Sequence, residues 1–329
     1  FLLLTISGLS LFLFSQTGNT MLKPYVKEKL EEKIGLPVEV KTFTLESGTS
    51  SVDFVINKQA YVKVRSQYNV WDRSFKGKYQ IQADTFTYED MQFQAADIQG
   101  NFKGVSEDVY VEGKGTALDA TLDYRLNIIE NEAQKILVNM KGAQLAEVLV
   151  LLGYPALAEG KIDVEINMPD IGQDTASGYG HIVLNKAYFN AKLVKKIYDY
   201  TLPGKSYVHG TIDANLEGKE IKLVGDVQSN LFMLQIKNAL MHTVSKQLTA
   251  SYRLDVKDLR ILTKNKLAGT LEVEGKILRK DKEMQVTGTS HSLGGALNFS
   301  IDEGTHITLK KLALEKLLVL LKQPVYAKG

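Results

Sequence analysis

The sequence predicts a mostly β protein: an elongated, coiled antiparallel β-sheet forming a half-open groove. It is read as repeating units of strands plus one short helix, preceded by a truncated transmembrane segment. Three observations predict this. Apolar and polar residues alternate with a period of two over most of the chain, the mark of strands with one dry and one wet face. Tight-turn signals separate the runs, and short connections join antiparallel neighbours because parallel pairing needs a long crossover. A phrase of helical turn, loop, glycine and strand also recurs, with Gly160, Gly210, Gly269 and Gly329 at intervals of 50, 59 and 60 residues. Such a period belongs to stacked units rather than one closed globule.

The chain opens inside an apolar run from Phe1 to Phe14. A helix of that length reaches about 21 Å, short of the roughly 30 Å hydrocarbon core. No Ala-x-Ala type of cleavage site follows, so residues 1–15 are expected to be the tail of a retained membrane anchor; a signal-peptide core is the alternative. After a polar hinge from Ser15 to Asn19, Thr20 is expected to cap a helix with Pro24 in its first turn. Leu22, Val26, Leu30 and Ile34 form its stripe, opposite Lys27, Glu28, Glu31 and Glu32, and Gly35 and Pro37 stop it. This amphipathic helix, 16–36, is read as covering one end of a sheet. The alternative, a helix lying on a bilayer, meets a polar face of mixed sign.

From Val38 the period becomes two. Residues 37–142 are read as a first groove segment. Its longest run is Leu118, Ala120, Leu122, Tyr124, Leu126 and Ile128, with Asp119, Thr121, Asp123, Arg125 and Asn127 between. Another run is Tyr79, Ile81 and Ala83. Residues 143–329 are read as the repeated segment. Its clearest phrase places Leu145, Val148, Leu149 and Leu152 at helical spacing, then Pro155, Gly160 and a strand with Ile162, Val164, Ile166 and Met168. A shift of 169 residues (145 to 314) repeats it, pairing Leu149 with Leu318, Leu152 with Leu321, Pro155 with Pro324, Ala158 with Ala327 and Gly160 with Gly329. Looser copies run from Leu193, Ile197 and Tyr200 to Gly210 and a strand with Ile212, Ala214 and Leu216, and from Leu259 and Leu262 to Gly269, Leu271 and Val273. Further runs are Phe232, Leu234 and Ile236, and Leu297, Phe299 and Ile301. Turns are expected at Glu217-Gly218-Lys219, Arg279-Lys280-Asp281-Lys282 and Asp302-Glu303-Gly304.

About eighteen to twenty strands are expected, judged by typical strand lengths. At about 4.8 Å each they stack to roughly 95 Å. A sheet with one apolar face must fold on a second sheet, close, or roll into a gutter. The helical phrases are too short and too few to roof it, so a half-open groove is expected, with a run of two or three β-sandwiches as the fallback. Candidate lining residues in the first segment are Leu118, Leu122, Tyr124 and Leu126. In the second they are Ile162, Val164, Ile166, Ile212, Leu216, Phe232, Leu234, Ile236, Leu271, Val273, Leu297 and Phe299.

Composition excludes some chemistry. A net charge of +2 gives no concentrated basic footprint for nucleic acid. The absence of cysteine removes disulfides and thiolate metal sites. His181, His209, His242, His291 and His306 lack metal-ligand spacing. Ser290-His291-Ser292 places nucleophile and base types side by side, but neighbours in a strand point to opposite faces. Gly113-Lys114-Gly115 and Gly178-Tyr179-Gly180 do not lead into helices, so turns or bulges are expected rather than phosphate loops. Asp163 and Glu165 are read as the wet face of a sheet. No catalytic residue, metal or cofactor is expected.

The apolar segment, the helix ending at Gly35, the strand that follows, and the repeats of Leu-x-x-Leu, loop and Gly-x-Ile/Leu-Asp/Glu together resemble the AsmA-like family. These are relatives of TamB and of the bridge-like lipid-transfer proteins with a repeating β-groove. The resemblance spans essentially the whole chain. It implies an inner-membrane anchor, a periplasmic groove holding acyl chains of phospholipid, an outer-membrane protein as a partner, and a part in outer-membrane biogenesis. A structural or scaffolding protein of the envelope, made of closed sandwiches, is the alternative. A carbohydrate-active enzyme would need a cluster of acids that the spacing does not provide.

Overall fold

The computed structural model describes residues 14–88, 91–105, 107–130, 132–171, 174–199, 201–262, 267–280 and 283–326. The expected anchor lies almost wholly outside them, as do Tyr200, Asp281, Lys282, Ala327 and Gly329. Among the described residues no helix is long and apolar enough to cross a membrane. The chain divides into two units, 1–143 and 144–329.

The first unit opens with α1 (Gln16–Ile34). The Ser15 hydroxyl accepts from the Gly18 amide at 3.1 Å, and Gly35, at φ +73°, ends the helix by donating its amide to Glu31 O at 2.9 Å. The expected start is therefore corrected. The helix runs through the predicted hinge, and Pro24 sits in its interior rather than its first turn. Thr20 cannot cap, because its hydroxyl donates back to Gln16 O at 2.8 Å. Asn19 supplies the reason for the early start. From a helical position its side chain accepts from Leu45 N at 2.7 Å and donates to Leu45 O at 3.2 Å, as a neighbouring strand would. Lys23 donates to Lys41 O at 2.8 Å, and Glu31 accepts from Val38 N at 2.9 Å. Three helix side chains thus satisfy the outer backbone of the first strand, whose bare edge would otherwise template another chain. Leu30 and Ile34 of the predicted stripe pack on a core of Val38, Val40, Phe54 and Val62.

That strand, β1 (Val38–Glu46), is followed by β2 (Thr49–Ile56), β3 (Ala60–Asn69) and β4 (Ser74–Ala83). A short hairpin of β5 (Phe86–Tyr88) and β6 (Met91–Phe93), not expected from the sequence, interrupts the meander. Then come β7 (Ala96–Val105), β8 (Asp108–Ala117), β9 (Ala120–Ile129) and β10 (Glu132–Gln144). Consecutive strands pair antiparallel, and β4 pairs directly with β7 across the inserted hairpin, Ala83 opposite Ala96.

The second unit contains α2 (Leu145–Leu151), β11 (Ala158–Asp170), β12 (Ser177–Phe189), α3 (Ala191–Tyr198), β13 (Tyr207–Glu217), β14 (Glu220–Ser229), β15 (Phe232–His242), β16 (Leu248–Val256), α4 (Leu259–Leu262), β17 (Leu271–Lys280), β18 (Glu283–Ser290), β19 (Ala296–Ile301), β20 (Thr305–Lys310) and α5 (Leu314–Leu320). From β11 to β20 each strand pairs antiparallel with the next. The sheet pairing is open, not closed into a barrel. Within each unit, among the described residues, the substantial contacts between strands run between ladder neighbours.

The repeat is visible at atomic detail. The shift of 169 that aligns the sequence carries α2 onto α5 at both ends, and Leu152 and Leu321 close them with the same geometry, φ −83°, ψ 3° and φ −82°, ψ 4°. Beyond each, a residue at positive φ (Gly153, Lys322) turns the chain, and an amide reaches back to Leu149 O at 2.9 Å or Leu318 O at 2.8 Å. Two of the repeat glycines, Gly160 and Gly210, have a steric reason. Gly160 sits at φ +153° in a β11 bulge, where an added Cβ would lie 2.6 Å from Ala187 Cα on β12. Gly210, at φ +155°, would meet Asp226 O at 2.1 Å. No L side chain fits either position without displacing backbone.

Candidate functional site

Residues directly opposite across a ladder share a face, so the registers trace one row across each unit. In the first unit it runs Phe43, Val52, Val64, Tyr79, Gly100, Gly113, Tyr124, Val138. In the second it runs Val164, Ile182, Ile212, Gly225, Ile236, Tyr252, Gly275, Gly288, Phe299, Ile307. Neither row contains a charged residue. The period-two pattern of single strands therefore adds up, through register, to one apolar face per unit.

Fifteen of the sixteen candidate residues fall on these two faces. Leu122, Tyr124 and Leu126 lie together on β9; Ile162, Val164 and Ile166 on β11; Ile212 and Leu216 on β13. Phe232, Leu234 and Ile236 share β15, Leu271 and Val273 share β17, and Leu297 and Phe299 share β19. Leu118 is the exception. It is not in a strand: with Asp119 it forms the turn between β8 and β9, at φ +54° and +58°. Both residues at positive φ match the twist of the flanking strands, so the turn geometry prevails over the apparent continuation of the alternation.

The apolar faces are low in relief because their aromatic rings lie along the sheet. A Cβ on Gly77 would meet the Phe102 ring at 2.4 Å, one on Gly113 the Tyr124 ring at 2.7 Å, and one on Gly288 the Phe299 ring at 2.5 Å. Glycine on one strand leaves room for the ring of its neighbour. Tyr79 donates to Glu112 O at 3.0 Å and pairs its hydroxyl with that of Tyr124 at 2.5 Å; Tyr252 donates to Thr287 O at 3.2 Å. Burial, and then the Tyr124 hydroxyl, push the Tyr79 phenol well above its ordinary range. In the second unit one end of the face is sealed, where Leu145 of α2 packs on Ala158, Ala187 and Val208. Farther along it is open: Ile182 and Ile212 are each 36% exposed, and Ile307 is 61% exposed.

The opposite faces are wet, and Asp163, Glu165 and His181 lie in ordinary pairs there. Asn185 donates to Asp163 at 2.9 Å, Tyr179 donates to Glu165, and His181 Nδ1 is 2.5 Å from Asp213 Oδ1. Ser290 and His291 do not form a nucleophile and base: Ser290 bonds Ser292 at 3.3 Å, while His291 bonds Gly295 O at 3.2 Å in the loop after β18. Among the described residues no group of three His, Cys, Asp or Glu could hold a metal.

The first unit carries a feature that the sequence reading did not anticipate. Three adjoining concavities are lined mainly by its wet-face residues. A cavity of about 710 Å³ is lined mainly by wet-face residues of six strands, from Thr44 and Glu46 on β1 through Arg65, Lys76 and Lys103 to Tyr110 and Glu112 on β8. Adjoining hollows of about 640 and 890 Å³ share Arg65, Lys78 and Glu112, or Lys76, Lys103 and Tyr110. In a flat sheet the five steps between those outer strands would span about 24 Å. One cavity touching all six means that the wet face bends inward there, as one diagonal of a twisted sheet does. No alternation within a single strand reports this curvature.

No family model, no curated protein and no solved structure matches the chain.

Proposed function

We propose that the chain binds lipid, with acyl chains lying along the apolar faces. The observation that carries this reading is the uncharged row crossing every strand from β11 to β20, with Ile182, Ile212 and Ile307 open to solvent. A guest chain would exchange water for methylene contacts worth about 0.8 kcal/mol per buried CH₂. Ten methylenes would gain about 8 kcal/mol before the cost of ordering the chain. The device requires no catalytic group. The resemblance of the sequence to the AsmA-like family supports a more particular version: an elongated, coiled groove in the periplasm, anchored to the bacterial inner membrane, passing phospholipid in outer-membrane biogenesis.

The test is native mass spectrometry of detergent-free protein together with binding of a fluorescent fatty acid. Wild type is expected to carry phospholipid and to bind the probe. Ile182→Asp with Ile307→Asp, at exposed positions on strands that do not pair with each other, is expected to abolish both signals while far-UV circular dichroism stays unchanged. Full retention of lipid in the folded double variant would refute the assignment.

A further inference from the structure

We infer that the wet-face cavity of the first unit is a binding site for a phosphate-bearing, hydroxyl-rich ligand. It lies on the face opposite the apolar row and does not rest on the lipid reading. The argument begins with register. Arg65 on β3 stands directly opposite Lys78 on β4, and Lys76, two residues earlier on the same face, stands directly opposite Lys103 on β7. Like charges directly opposite one another destabilise a sheet. Elsewhere the first unit sets opposite charges together, Lys114 against Asp123 and Glu112 against Arg125.

The second unit shows how such a conflict is normally resolved. Glu217 faces Glu220, and Lys222 bonds Glu217 at 2.5 Å. Asp255 faces Glu272, and Arg253 reaches both at 3.2 Å. In the cluster of the first unit, Arg65 is neutralised by Asp53 and Lys103 lies 5.4 Å from the centre of the Tyr110 ring. Lys76 and Lys78 have no acidic partner among the described residues. The repulsion is therefore left standing where the sheet bends inward to form a cavity of about 710 Å³, within the usual range for small-molecule sites.

The rest of the lining specifies what accompanies the anion. Glu46 accepts from Thr49 at 3.2 Å, and Glu112 accepts from Asn101 at 3.2 Å and Tyr110 at 3.1 Å. These carboxylates have remaining lone pairs for ligand hydroxyls. With Arg65 already paired to Asp53, three lysines against these two acids leave the lining a small positive excess, which suits a phosphate held by Lys76, Lys78 and Lys103 with hydroxyls turned toward Glu46 and Glu112. A free sugar phosphate and the phosphorylated head of a glycolipid share this chemistry.

The experiment uses the full chain at low salt, with glucose 6-phosphate as the soluble probe, glucose as its uncharged control, and phosphatidylcholine vesicles with and without phosphatidylinositol 4-phosphate as the lipid arm. Calorimetry reads the soluble probe and co-sedimentation reads the vesicles. Trp71, the single tryptophan, is 93% exposed on the β3–β4 turn and reports bilayer contact by a blue shift. Binding of glucose 6-phosphate but not glucose supports a soluble source. Binding only to phosphoinositide vesicles, with the blue shift, supports a lipid head. In either case Lys76→Gln and Lys103→Gln are each expected to weaken binding on the order of tenfold. Lys76→Gln should also melt no lower than wild type without ligand, since it removes one half of a repelling pair. Binding in neither arm, or binding untouched by both substitutions, would overturn the assignment.

Discussion

Replacing Gly160 by alanine tests whether the repeat glycine is required by packing or only by backbone freedom. At φ +153°, a region open essentially only to glycine, the substitution costs about 1–3 kcal/mol in conformation alone. The new Cβ would also lie 2.6 Å from Ala187 Cα and 2.7 Å from Ala187 Cβ. Carbon atoms at rest sit about 3.5–4.0 Å apart. Ala187 has no exposure and is held in register by Val208 on its far side, so it cannot retreat by an ångström. Overpacking of this kind adds about 1–3 kcal/mol. Gly153→Ala is the control: φ is +77°, but nothing lies within 4 Å, so only the conformational part applies. The gain from a stiffer unfolded chain is the same for both and cancels. Gly160→Ala should thus be less stable than Gly153→Ala by about 1–3 kcal/mol. Urea unfolding followed by far-UV circular dichroism measures the difference, because Trp71 is too exposed to report on the sheet. Equal losses in the two variants would refute the steric account. Ala187→Gly should restore little, since the nearest obstructing atom is the Cα itself.

Two further substitutions probe polar contacts. The Arg65 guanidinium beside Asp53 holds that buried carboxyl below the usual carboxylate range. Its stabilising contribution is therefore present above the ordinary carboxylate pKa and is lost as pH falls through the lowered one. Asp53→Asn should cost about 1 kcal/mol at neutral pH, discounted because Arg65 is half exposed, and should flatten the acid limb of a melting-temperature profile. An unchanged acid limb would count against the pairing. Asn19→Ala removes both contacts to Leu45 and should cost about 1–3 kcal/mol. Denaturant titration reads that loss, and a neutral result would mean that water replaces the side chain without penalty.

Much of this architecture was legible in single strands. The alternation of Leu122, Tyr124 and Leu126 puts them on one face whatever their partners, and a short Leu-rich phrase repeated after 169 residues predicts the same helix twice. What was not legible depends on partners distant in sequence. Leu118 continues the alternation on paper, and only the pairing of Ala117 with Ala120 makes it a turn residue. Ser15 and Thr20 are both sound caps, and the choice falls to Ser15 because Asn19 is needed at Leu45, 26 positions away. The wet-face cavity is the extreme case. Lys76 and Lys103 look like unrelated surface lysines until β4 and β7 pair across the hairpin between them. Six separate strands must then bend together before the hollow exists.

The first strand and the last one differ in how they meet the outside. Leu45 has both backbone groups taken by Asn19, and Lys41 and Val38 are occupied in the same way, so no incoming chain can zip onto β1 without first peeling α1 away. β20 pairs with β19 and is exposed along its whole length, with no comparable guard among the described residues. Edge-to-edge association through β1 is therefore blocked by side chains of a helix rather than by a partner strand.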